Sequence, residues 1–173
     1  MSKMYQPVTV REALELLAAG DCMACAGGTN LYVDRKHGKY LDADYVSLDR
    51  LKELRSVHRE ADGIHIGSMV NFAQLEKLEF SGAECIPAAA SMVGAPQIRN
   101  RGTIGGNIIS ASPAADMVPP LMTLDAVLVL NSMDGERRIP VTNFMKGPGK
   151  TDLRPQELLT EIIVPVKEGR SVF

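Results

Sequence analysis

Hydrophobic positions along this chain change their period several times, and each change marks an element. The segment Ala13–Ala19 is mostly apolar and built from helix formers. Thr9-Val-Arg-Glu12 ahead of it is a capping-box pattern, and Gly20 suits its end. Cys22–Ala26 is a run of small apolar residues that predicts a short buried strand, broken by Gly27-Gly28. A helix is expected over Asn30–Lys36, capped by Thr29 or Asn30. Tyr45–Leu48 predicts the next strand. Strand, turn, helix and strand in this order predict a small parallel βαβ lobe.

From about Leu54 the pattern alters. Arg55–Glu60 and Gly63–Met69 flank Asp62-Gly63, a hairpin turn signal. Asn71 and Gln74 form a capping box for a helix reaching Leu78. Pro87–Val93 is small, apolar and helical in character. Gly94–Gly102 is irregular and leads into Thr103–Asn107. Asp125–Asn131 favours a strand that Asp134-Gly135 turns toward Arg137–Val141, and Leu158–Val164 is a final strand closed by Pro165. Hairpins interleaved with helices predict an α+β unit with an antiparallel sheet. The division expected is 1–54 for the first lobe and 55–173 for the second. No linker separates them, so they should share an interface.

Composition narrows the functional classes. A chain of 173 residues, 45% hydrophobic and 23% charged, is ordinary for a globular protein. A net charge of −2 and the lack of Trp argue against a nucleic-acid surface. No apolar run of about eighteen residues predicts a membrane span. Met1–Pro7 does not read as a signal peptide, which predicts a cytoplasmic location. Three cysteines, an odd number, point to reduced thiols.

Two glycine turns carry the candidate chemistry. In Ala26-Gly27-Gly28-Thr29-Asn30-Leu31, glycines reach positive φ without a Cβ penalty, so successive N–H groups can face one concavity ahead of a helix N-terminus. Gly-Gly before a helix also serves as a plain tight turn. The second turn, Gly102-Thr103-Ile104-Gly105-Gly106-Asn107, combines glycines, a hydroxyl and a carboxamide. Asp116, further on, either accepts from a ribose hydroxyl or caps the short helix after it. Neither turn is Gly-x-Gly-x-x-Gly or a P-loop. Two separate donor-rich turns suit an extended diphosphate lying between two lobes.

Ala26–Leu31, Gln97–Asp116 and Gly147–Ile162 together resemble the FAD-binding domain of molybdenum hydroxylases, the xanthine dehydrogenase and carbon monoxide dehydrogenase medium-subunit family. The resemblance runs in order along essentially the whole chain. It implies the two-lobed FAD-binding fold of the vanillyl-alcohol-oxidase type. It makes Ala26, Gly27, Gly28, Thr29, Asn30 and Leu31 the first pyrophosphate loop, and Thr103, Gly105, Gly106 and Asn107 the second. It places Asp116 at the ribose or adenine end, Leu159 on the adenine and Val93 beside the flavin. Iron–sulfur and molybdopterin subunits are the implied partners, with NAD⁺, oxygen or another acceptor receiving the electrons. The family continues, past the point matching Phe173, with a lysine near the cofactor and a C-terminal domain. A stand-alone FAD oxidoreductase of the same fold, or a non-catalytic scaffold, are the competing readings. No catalytic triad or metal set is evident, and an electron-relay domain requires none.

The remaining reactive residues have plainer readings. Cys22-Met-Ala-Cys25 lies on the predicted strand, which suits buried thiols better than zinc or thioredoxin chemistry. His37, His58 and His65 read as surface or strand histidines. The nine Met residues read as pliable core filler. Arg99 and Arg101 either support a phosphate or partner, or lie on a solvated loop.

Overall fold

The computed structural model describes residues 2–20 and 22–166. The first lobe is built from β1 (Met4–Tyr5), α1 (Val10–Ala18), β2 (Cys22–Cys25), α2 (Thr29–Lys36) and β3 (Asp44–Ser47). Its three strands run parallel in the order β1-β3-β2. The parallel lobe matches the expectation, while β1 carries no strong hydrophobic signal and joins by pairing with β3. Thr9 caps α1 by accepting from the Glu12 N–H at 3.2 Å. The Glu12 carboxylate accepts from the Val8 N–H at 2.8 Å, one residue beyond the N-cap N–H that a regular box engages.

The second lobe runs β4 (Val57–Glu60), β5 (Gly63–Gly67), α3 (Phe72–Leu75), α4 (Cys85–Met92), α5 (Pro96–Arg99), α6 (Ile104–Ser110), α7 (Val118–Thr123), β6 (Val127–Ser132), β7 (Gly135–Pro140), α8 (Val141–Phe144), β8 (Met145–Gly147), β9 (Lys150–Thr151) and β10 (Leu158–Val164). A five-stranded antiparallel sheet has the order β4-β5-β10-β6-β7, with the C-terminal strand inserted at its centre. At that place every residue of β10 except Glu161 is buried, so its apolar positions fall on both faces of the sheet instead of alternating. Asn71 and Gln74 form the predicted capping box, but the helix stops at Leu75 rather than Leu78. The stretch expected to be irregular contains α5, begun by Pro96 at its first turn.

Two clusters make the core. The larger lies between the five-stranded sheet and helices α3, α4, α6 and α7, and holds Ile66, Ile86, Ile104, Leu121, Leu128 and Ile162. The smaller joins α1 (Ala13, Leu14, Leu17) to Val46 and Leu48 of the first lobe and to Met69 and Leu158 of the second. The lobes therefore share an apolar interface with no linker between them.

Several side chains depart from expectation. Cys22 and Cys25 are half-buried and only Cys85 is buried, because β2 is covered incompletely. None of the three is in a disulfide. His65 is the strand histidine of the expected alternatives, on β5, but it is buried, with its two ring nitrogens 2.9 Å from Glu161 and 2.8 Å from Asp62. Burial works against a charged ring there, but the bonds to Asp62 and Glu161 outweigh it and hold the imidazole above its ordinary pKa. Met69 and Met117 fill the core, whereas Met4, Met92 and Met133 are exposed. Arg99 pairs with Glu76 at 2.9 Å and Arg101 with Asp49 at 3.3 Å, so both are tied to acidic partners.

Candidate cofactor site

The two glycine turns meet. Gly27 packs so closely on the main chain of Arg101 and Gly102 that a Cβ there would overlap the Arg101 carbonyl oxygen. A Cβ on Gly106 would come within 3.8 Å of Ala26. The absence of side chains at these positions thus lets a loop of one lobe seat against a loop of the other.

Beside this junction a cleft of about 750 Å³ opens between the lobes. Every residue assigned from the sequence lines it: Ala26 to Leu31, Val93, Thr103, Gly105, Gly106, Asn107, Asp116 and Leu159. These positions span 134 residues of chain (from 26 to 159) and are brought to one cavity by the fold alone.

The two turns supply donors differently. Gly28 sits at φ +76°, ψ 0° as the N-cap of α2, and no side chain caps the helix. The expected cap at Thr29 or Asn30 is displaced by one or two residues, because glycine alone takes this left-handed geometry without strain. The first-turn N–H groups of α2 therefore have no intrahelical acceptors and lie at the cleft. In the second turn most main-chain donors are already engaged. Gly105 N–H donates to the Ser68 carbonyl at 2.9 Å, and Asn107 N–H to the Thr103 carbonyl at 3.0 Å. Gly106 N–H donates to the Thr103 hydroxyl oxygen at 3.1 Å, making Thr103 the N-cap of α6. What this turn leaves for a ligand is the Thr103 O–H proton and the Asn107 side-chain N–H groups; the Asn107 side-chain Oδ1 accepts from Met117 N–H at 3.3 Å. Gly105 and Gly106 serve sterically: a Cβ on Gly105 would lie 2.7 Å from Ser68, and one on Gly106 would lie 3.0 Å from the Thr103 hydroxyl.

Asp116 lines the cleft and does not cap α7, whose N-cap is Met117 with no side-chain bond. Leu159 and Val93 are both buried in the main core as well as bordering the cleft. Sequence reasoning missed Ser68, Lys39, Tyr40 and Glu157, which also line it. Ser68 is buried, and its hydroxyl has no hydrogen-bond partner. Lys39 brings a cation, bonded to Asp34 at 2.9 Å. Glu157 is 5% exposed at its side chain. Burial opposes its charge, but bonds from Arg137 at 2.8 Å and from the Arg154 N–H at 2.8 Å prevail and hold the carboxyl below its ordinary range. Burial pushes the Cys25 thiol up, Asp49 adds to that and Arg101 opposes it, so the thiol beside the first turn stays neutral. None of these four carried a local signal; only a known turn or a charge pair across the fold would have marked them.

A helix start with no side-chain cap, the Thr103 hydroxyl proton and the Asn107 carboxamide make this a donor-lined groove. Fold and groove together define a two-lobed nucleotide-binding domain suited to a dinucleotide such as FAD. The chain belongs to the family described as FAD binding domain in molybdopterin dehydrogenase, which matches residues 1–167. It is similar to the nicotinate dehydrogenase FAD-subunit of Eubacterium barkeri, at 36% identity over 98% of this chain and 60% of that protein. It is also similar to the xanthine dehydrogenase FAD-binding subunit of Escherichia coli O157:H7, at 34% identity over 93% of this chain and 56% of that protein. Among solved structures, a carbon monoxide dehydrogenase chain from Hydrogenophaga pseudoflava superposes with a TM-score of 0.91 at 30% identity, covering 96% of this chain and 59% of that one. The chain thus spans somewhat under two thirds of the relatives it matches. Among the described residues no helix is long and apolar enough to cross a membrane. The end of the chain at Phe173, where the resemblance locates the start of a further region, lies outside the described residues.

Proposed function

We propose that this chain is the FAD-holding part of a cytoplasmic molybdenum hydroxylase, accepting electrons from an iron–sulfur subunit and passing them to NAD⁺ or another acceptor. The division into lobes 1–54 and 55–173 belongs to the same reading. One observation carries it: all the positions assigned to the cofactor from sequence line a single interlobe cleft. The first-turn N–H groups of α2 would hold one face of the pyrophosphate, with the Thr103 hydroxyl and the Asn107 amide on the other. Charge-assisted hydrogen bonds are worth about 1.5–3 kcal/mol each, so four or five such donors anchor a diphosphate without an arginine. Asp116 would accept from the ribose and Leu159 would pack on the adenine, leaving Val93 toward the flavin. When bound, FAD supplies the redox chemistry; the protein's own part is to place it and exclude water around it.

The relatives named above as dehydrogenase FAD subunits support the partner assignment, since each name describes one subunit of a larger enzyme. The test is a fluorescence titration of FAD into the purified chain. One equivalent bound, with Thr103→Val and Asn107→Ala each weakening it, is the expected result. No uptake of FAD by the wild-type chain overturns the reading.

A further inference from the structure

The outer face of the five-stranded sheet holds a second cluster that the cofactor cleft does not use. Ile64 and Ile66 of β5 point into the core, so His65 between them faces the opposite side. His58 of β4 is its cross-strand neighbour, and their rings stack with centroids 5.1 Å apart and planes 22° apart. On the other flank, β10 pairs Ile163 with His65, which puts Glu161 on the same face two residues along. Ligand atoms of His58, His65 and Glu161 all lie within 4.8 Å of one another.

We propose that His58, His65 and Glu161 bind a divalent transition-metal ion of the zinc class. Proximity is not the whole argument. The Nε2 atoms of both rings are already held by carboxylates of the same hairpin: His65 by Asp62 at 2.8 Å, and His58 by Glu60 at 3.0 Å. Metal-bound imidazoles are characteristically held this way, with the far N–H given to a carboxylate that fixes the tautomer and raises the basicity of the other nitrogen. Here the nitrogen left to each ring for an ion is Nδ1, which at His65 carries the proton it shares with Glu161 across 2.9 Å. A metal ion would replace the proton shared between His65 and Glu161. Two imidazoles and one carboxylate with a water in the fourth position are a regular zinc set. Three carboxylates around the rings offset the charge of the ion, and Arg138, whose charge reaches Asp62 and Glu161, is itself paired with Glu136 at 2.9 Å. Bound there, the ion ties three strands together, β4 and β5 to the central β10.

The proposal stands apart from the flavin reading, and its test does not need FAD. Zn²⁺ is titrated by calorimetry into chelator-treated full chain, and Co²⁺ is followed by its visible ligand-field bands. The expected result is one equivalent of Zn²⁺ and the bands of a low-coordinate cobalt site. His58→Ala and Glu161→Gln each lower Zn²⁺ affinity by at least ~10-fold, and Asp62→Asn lowers it by about 10–100-fold through the supporting carboxylate. His58 is the safest probe because its side chain is 44% exposed, and near-ultraviolet circular dichroism checks that each variant is folded. Wild-type chain that takes up no Zn²⁺ overturns the proposal. So does unchanged affinity in both His58→Ala and Glu161→Gln, which would move the ion elsewhere, for instance to Cys22 and Cys25.

Discussion

At the scale of the residue, the glycines of the two turns do different jobs. Gly28 needs its positive φ, yet the nearest atom to an added Cβ is the Cys25 sulfur at 4.0 Å. Gly28→Ala should therefore fold, losing about 1–2 kcal/mol to left-handed strain, and should bind FAD more weakly because the first-turn amides shift. Gly27 has an ordinary φ but no room. Gly27→Ala should cost about 1–3 kcal/mol through overpacking and push the turns apart. Denaturant melts with parallel FAD titrations separate the two cases. A Gly28→Ala chain that binds FAD as the wild type does would remove the first turn from the site. Gly105 is a poorer probe, since a Cβ on it collides with Ser68 before any ligand is involved. Thr103→Val removes the acceptor for the Gly106 N–H and should lower stability by about 1 kcal/mol as a lost helix cap.

At the scale of the element, the segment linking β9 to β10 is held by an ion network. Arg137 on β7 donates to Glu157 and to both the side chain and carbonyl of Asp152. Glu157 is buried at the cleft wall, so removing Arg137 strands a carboxylate there. Arg137→Ala should cost about 3 kcal/mol, the low end for breaking a buried pair, because Arg154 remains 3.9 Å away. The same pair sets an acid limit. The folded pKa of Glu157 lies below the ordinary value of 4.5. Its stabilising contribution is therefore complete above that value and is lost as pH falls through the lower, folded one. Melting temperature should decline below about pH 4.5, the unfolded reference, and Glu157→Gln should flatten that part of the decline. An unchanged acid limb in the variant would show that other carboxylates govern it.

At the scale of the whole molecule, the lobes are fastened by the apolar cluster around α1 and by contact between the turns, so binding in the cleft and stability are coupled. FAD at about a hundred times its dissociation constant should add about 2.7 kcal/mol. For a chain of this size that corresponds to a rise in Tm of roughly 5–10 °C, read by thermal shift. A flat response at saturating FAD would uncouple the cleft from the fold and count against the cofactor reading.

Local pattern was enough for the parts governed by near neighbours. The Asn71–Gln74 box, the Asp62-Gly63 hairpin, the strand Leu158–Val164 and the two glycine turns are all legible in the sequence, because caps, turns and periodicity depend on residues a few positions apart. The order of the large sheet, with β10 inserted between β5 and β6, was not legible, because pairing partners lie up to about a hundred residues away and no local energy selects them. Burial of His65 follows from that same insertion, since Glu161 reaches it only from β10. Engagement of the Gly105 amide by Ser68 and the seating of Gly27 on Arg101 are likewise contacts between distant segments. Residue types set which donors a turn can offer; the packing of one lobe on the other decided which of them are left facing the cleft.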